Sequence, residues 1–117
     1  MNDEWKTPEW FMRLFMGWDD PCLPGRTDGL TRTWRDPVFV NPPYSDPKPW
    51  VAKGIREASM GKRVVMLLRH DSSTEWWRML VEAKAEMFAH VGRMHFSKKD
   101  RSPFPVILVI LRGGRDG

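Results

Sequence analysis

Val38-Phe39-Val40-Asn41-Pro42-Pro43-Tyr44 reads as a short strand that runs straight into a stop. Val38, Phe39 and Val40 are β-branched or aromatic, the composition of a buried strand. Pro42 and Pro43 end it, because proline has no N–H to give to a sheet ladder. The turn therefore falls at the strand's C-terminal end. In open α/β sheets, ligands bind just outside that end. The Asn41 amide oxygen accepts hydrogen bonds, as does the Pro42 carbonyl, whose direction the ring fixes. Tyr44 offers a flat face for stacking. Two acceptors and an aromatic face suit an exocyclic NH2 on a planar group, and adenine is such a group. The plainer reading of these four residues is a Pro-rich turn with no chemistry, since so short a match recurs by chance.

Outward from this strand, the chain alternates helical and strand patterns. Ser45-Asp46-Pro47-Lys48-Pro49 introduces a helix over about 48–60, with Trp50, Val51, Gly54, Ile55 and Ala58 as its inner stripe. Gly61 closes it, and Arg63 to Leu68 is a buried strand. Ser73 or Thr74 caps a second helix through Trp76, Trp77, Leu80, Val81 and Ala83. Residues 87–91 read weakly as a strand, and Val106 to Leu111 as a strong one. Upstream, Pro8 follows Thr7 as in a helix start, and Trp10, Phe11, Leu14 and Phe15 give a short helix over 8–16. Residues 19–30 are loop by composition and hold three acids, Asp19, Asp20 and Asp28. Each acid is either a solvated turn residue or an acceptor for a cofactor's amine or ribose hydroxyls. No Gly-x-Gly-x-x-Gly is present, so the loop is not a dinucleotide fingerprint. Alternating helices and buried strands imply a three-layer α/β sheet. The last strand follows a loop rather than a helix, so it can pair antiparallel at or near an edge.

With 117 residues the chain fits a single domain, 1–117. A hydrophobic content of 41% with mixed charges argues against disorder. There is no apolar run for a membrane span and no signal-peptide pattern, so an intracellular, cytoplasmic protein is expected. One cysteine, Cys22, excludes an internal disulfide and disfavours a thiolate metal cluster. His70, His90 and His95 share no metal-ligand spacing, and no metal is expected. A net charge of +4 permits a polyanionic partner. Arg93, Lys98, Lys99 and Arg101 face a single acid, Asp100, and are the best candidates for nucleic-acid phosphates. Lys53 and Arg56 on the first long helix are weaker ones. A basic run is equally often a solvated loop.

These motifs, in this order, resemble the phage-type Dam family of DNA N6-adenine methyltransferases. The resemblance runs from about Trp5 to Leu111. It rests on Glu4-Trp5-Lys6-Thr7-Pro8, Asp20-Pro21-Cys22, Asp28-Gly29-Leu30 and Trp34. Val38 to Ser45, Trp50-Val51, Lys53, Gly61 and Val64 to Leu68 follow. Thr74 with Trp76-Trp77, Gly92-Arg93 with Phe96, and Pro103-Phe104-Pro105 complete the set. The resemblance implies a minimal Rossmann-like methyltransferase fold, with a mostly parallel sheet of about five strands and an antiparallel C-terminal strand. It implies S-adenosylmethionine as cofactor and adenine in DNA as substrate, in a protein of the kind that a phage or prophage encodes. By analogy Thr7, Pro8, Asp20, Pro21 and Asp28 line the cofactor pocket together with Asn41, and Asn41, Pro42, Pro43 and Tyr44 form the catalytic loop.

Two departures stand out. Where the pattern has a proline and later an arginine and an aspartate, this chain has Arg69-His70-Asp71-Ser72-Ser73. Only 21 positions separate Asp20 from Asn41, too few for the strands and helix of a full methyltransferase sheet. Those elements must be missing or reduced to loops. The adenosine side of the pocket would then be open, and a second copy of the chain could cover it as a homo-oligomer. Asn-Pro-Pro-Tyr loops also resemble those of methyltransferases acting on RNA guanine or on protein glutamine. A nucleic-acid-binding module with a decayed cofactor pocket is the reading from a different class.

Overall fold

The computed structural model describes residues 13–23, 27–89 and 105–113. Strand β1 (Val38–Val40) is followed by helix α1 (Lys48–Ser59), β2 (Arg63–Arg69), helix α2 (Glu75–Glu82), β3 (Glu86–Ala89) and β4 (Val106–Arg112). They form one four-stranded sheet in the order β1-β2-β4-β3. β1 pairs parallel with β2. β4 pairs antiparallel with both β2 and β3, so it alone runs against the other three.

This corrects the expected sheet in two respects. Among the described residues there are four strands rather than about five, with an isolated parallel bridge from Asp19 to Val38 beside β1. The C-terminal strand is antiparallel and near an edge, as expected, with β3 outside it. The second respect is layering. Val38, Val40, Val64, Met66, Leu68, Ile107, Val109 and Leu111 share one apolar cluster with Val51 and Ala58 of α1 and Trp76 and Leu80 of α2. Both helices thus pack on one sheet face. On the other face Phe39, Val65, Leu67 and Val106 gather Tyr44, Phe15 and Trp18 instead of a helix. The described residues make two layers plus an aromatic cover, not three. Of the expected helix over 8–16, only a 3-10 turn at Arg13–Phe15 falls among the described residues.

The element boundaries follow local chemistry. Thr74 caps α2, its hydroxyl oxygen accepting the Trp77 N–H at 3.2 Å. α1 starts without a side-chain cap, on Pro47 with Pro49 in its first turn. It ends where Gly61 turns the chain at φ +96°, a conformation that a side chain would strain. Against the expected inner stripe, Trp50 and Ile55 are only half-buried, and Lys53 and Glu57 are buried.

Candidate active site

The β1 stop positions the candidate loop. All three β1 residues are buried, and the chain leaves the sheet at Asn41. The Pro43 carbonyl accepts the Asp46 N–H at 3.2 Å, which closes the turn before α1. Asn41 and Pro43 are half-buried, and Pro42 is buried. Tyr44 departs from the sequence expectation. It is only 5% exposed and belongs to the cluster of Phe39, Val65, Leu67 and Val106. Burial pushes its phenol well above the usual tyrosine range. In this arrangement the ring is a core residue that fastens the loop to the sheet, not an open stacking face.

The acidic loop meets the same sheet end. Asp19 bridges Val38 in parallel, with its N–H donating to the Pro37 carbonyl and its carbonyl accepting the Phe39 N–H, both at 2.9 Å. Because the pairing is parallel, Asp20-Pro21 and Asn41-Pro42 leave their strands in the same direction. The Asp19 carboxylate is buried beneath this exit. It accepts a two-point contact from Arg32, at 2.7 and 2.8 Å, and the Arg35 N–H at 2.8 Å. The Arg32 hydrogen bonds hold its pKa below the ordinary value, against the opposing effect of burial, with the Arg35 N–H adding to the shift. Arg32 also lies 3.8 Å from Asp28, whose side chain is exposed. Gly29, next to Asp28, has no room for a side chain. A Cβ there would stand 2.2 Å from the Pro21 carbonyl oxygen and 2.6 Å from the Trp50 ring. The Trp34 indole N–H donates to the Gly29 carbonyl at 2.6 Å. The Asp-Pro-Cys and Asp-Gly-Leu motifs are therefore packed against each other. Cys22 of the first motif is half-buried, and its thiol is pushed up to about 11 by burial and, less, by Asp20.

Lys53, expected as a weaker phosphate candidate, is buried and ion-paired here. It is 6% exposed, and its ammonium sits 3.0 Å from Glu57 and 5.4 Å from the centre of the Trp34 ring. Lys62 pairs with the other Glu57 oxygen, and the Trp34 N–H approaches that oxygen at 3.4 Å. Burial alone would raise the Glu57 pKa, but the hydrogen bonds from Lys62 and Lys53 win and lower it.

The segment that departs from the family pattern lies at the end of β2. The His70 N–H donates to the Pro105 carbonyl at 2.8 Å, and its ring stacks on Trp77 at 5.2 Å between centroids. Arg69 reaches Asp71 at 3.4 Å. Thr7, Pro8, Arg93, Lys98, Lys99 and Arg101 lie outside the described residues.

Sequence reasoning passed over Arg32 and the buried role of Asp19, since no local signal links residues 13 positions apart. The Lys53–Glu57 pair did leave a signal, its spacing of four on a helix.

Residues 22–107 match the family described as DNA N-6-adenine-methyltransferase (Dam). The chain is similar to the DNA N-6-adenine-methyltransferase of Haemophilus phage HP1, with 36% identity over 90 residues. That match covers 69% of this chain and 52% of the relative. It is also similar to the DNA N-6-adenine-methyltransferase of Escherichia phage T1, 36% identical over 63 residues, or 52% of this chain and 26% of that protein. The chain thus spans about half the length of the first relative and about a quarter of the second. No solved structure matches it.

Proposed function

This chain belongs to the DNA N-6-adenine-methyltransferase (Dam) family, and from that premise we propose that it methylates the N6 amine of adenine in DNA with S-adenosylmethionine as methyl donor. The observation that carries the proposal is the shared exit of Asp20-Pro21 and Asn41-Pro42 from two parallel-paired segments. The Rossmann-like fold is part of the same reading. Its support is the β1–α1–β2 unit, a parallel pair joined by a helix.

The residues at this exit fit the cofactor's polar groups. Asp20, half-buried at the mouth, and Asp28 offer acceptors for an amine or ribose hydroxyls, and Pro21 offers an apolar wall. Thr7 and Pro8 would complete the pocket. When bound, S-adenosylmethionine supplies a methyl group already activated by its sulfonium. The chain's task is then to place the acceptor nitrogen and exclude water. The Asn41 side-chain oxygen and the Pro42 carbonyl would accept the two N6–H groups. That draws the nitrogen lone pair out of conjugation with the ring and stabilises the positive charge that develops on it. No strong base is needed, because the methylated nitrogen is acidic and loses its proton late. In duplex DNA the base must first leave the stack. Arg93, Lys98, Lys99 and Arg101 would hold the backbone meanwhile.

The test is transfer of tritiated methyl from S-adenosylmethionine to DNA, followed by nucleoside mass spectrometry. N6-methyladenine that disappears in Asn41→Ala is the expected result. Transfer to RNA or protein but not DNA would overturn the acceptor assignment. Absence of both transfer and cofactor binding by calorimetry would leave a binding module.

A further inference from the structure

We propose that Arg69 is a phosphate-positioning residue, its guanidinium taking the phosphodiester beside the target adenosine. This rests on the DNA methyltransferase reading above. Arg69 is the last residue of β2, and strand alternation puts its side chain on the face of Val65 and Leu67. Leu67 and Val106, the latter paired with Arg69 across the sheet, share one cluster with Tyr44 of the candidate loop. Val40 is level with Met66 in the parallel β1–β2 pair. The chain therefore leaves β1 one strand spacing, about 4.8 Å, from the Met66–Leu67 step, and β2 carries on past that exit for two further residues to Arg69.

The guanidinium is held but not saturated. Its side chain is 24% exposed and makes one 3.4 Å approach to Asp71. Its Nε is buried and has no acceptor among the described residues. The other Asp71 oxygen is turned away to Ser73, accepting both its N–H and its hydroxyl. A guanidinium offers five N–H donors in a fixed fork, the geometry that takes a phosphate at two points. The backbone beneath it is anchored by the His70 N–H on Pro105 and by the His70–Trp77 stack.

The cofactor carboxylate is the competing anion, and the sheet order argues against it. Asp19 pairs with one edge of β1 and β2 with the other, so the Asp20-Pro21 exit and Arg69 lie on opposite sides of the Asn41 loop. A flipped nucleotide brings its own flanking phosphates to that loop.

The experiment compares wild type, Arg69→Met and Arg69→Lys on a duplex whose methylated adenine has been mapped. Neutral methylphosphonates replace the flanking phosphates one at a time. Arg69→Met is expected to weaken DNA binding about tenfold and to lower the slope of log affinity against log salt by about 0.9, the value for one phosphate contact. Arg69→Lys should restore the slope but only part of the affinity, because it loses the two-point geometry. One neutral phosphate should make wild type behave like Arg69→Met and leave Arg69→Met unaffected. Binding of S-adenosylmethionine should be unchanged. Should Arg69→Met fail to fold, the phosphate scan on wild type and Arg69→Lys decides, since only a two-point contact makes the same single phosphate matter less in lysine. An unchanged slope with no phosphate-specific coupling overturns the proposal, as does a loss confined to cofactor binding. If wild type transfers no methyl to DNA, the parent reading fails. If it transfers normally without the coupling, only the Arg69 assignment does.

Discussion

Asn41 and Tyr44 stand three positions apart in one loop and do opposite kinds of work. Asn41 is half-buried at the mouth, and its proposed role needs the side-chain oxygen itself. Asn41→Ala should lower the rate constant of methyl transfer about 10²- to 10³-fold, the range for removing one aligned polar contact. Cofactor affinity and the thermal midpoint should hardly move. Equal losses in all three would mean that Asn41 is a structural residue. Tyr44, with its ring in the core, should show its effect first in stability. Tyr44→Ala should cost about 3 kcal/mol in urea denaturation, as large-to-small core changes do, and Tyr44→Phe about 1 kcal/mol or less. A Tyr44→Ala protein of unchanged stability that binds DNA poorly would restore the stacking role. The strand and its proline stop are legible in five residues. The burial of Tyr44 is not, because its neighbours Val65, Leu67 and Val106 come from two distant strands. Cys22 gives a local probe of the same region. With its thiol pushed up to about 11, it should react slowly with a disulfide reagent at pH 8 in the folded protein and at the free-thiol rate in urea. Fast labelling without denaturant would show that the 20–23 turn opens readily.

At the scale of elements, buried charge decides what hydrophobic pattern alone does not. The helix over 48–60 is legible from its apolar spacing, with Val51, Gly54 and Ala58 buried and Trp50 and Ile55 packed partly buried on the same cluster, yet Lys53 and Glu57 turn inward beside them. What draws them in is non-local, the Trp34 ring over Lys53 and the Lys62 ammonium on Glu57. Among the described residues the loop from Asp19 to Trp34 has no helix or strand, and the Asp19–Arg32 pair and the close approach at Gly29 help to hold it. Asp19→Asn leaves Arg32 half-buried without its carboxylate and should cost about 2–4 kcal/mol at pH 7. The sign of its pH dependence follows from the lowered pKa. The unfolded chain binds this proton more readily than the folded one. The contribution is therefore complete above the unfolded value near 4 and is lost as pH falls through the lower folded value. Urea midpoints of wild type and Asp19→Asn should converge as pH drops below about 4. A gap that stays constant down to pH 2 would show that the carboxylate's charge is not what holds the loop.

For the whole molecule, the decisive feature is where the chain's last strand goes. The alternation of helices and strands gives the α/β class, and the loop before Val106 gives the antiparallel direction. Neither says that β4 enters between β2 and β3, because its partners come from residues far from it in the chain. That position makes β4 the strand on which sheet integrity depends. It pairs along its full length with β2 and carries β3 on its other side. Its alternate residues fill both apolar clusters, with Ile107, Val109 and Leu111 toward the helices and Val106 toward Tyr44. Removing residues 106–117 should therefore abolish cooperative unfolding by circular dichroism rather than trim an edge. In the intact chain, β2 and β4 amides should exchange with solvent only through global unfolding, and β3 amides faster. Among the described residues β3 has one paired neighbour, and Phe88 on it is exposed. Such an edge is open to another strand. Equally slow exchange in β3 that becomes faster on dilution would identify a second copy of the chain as its cover. Slow exchange independent of concentration would place the cover within the same chain.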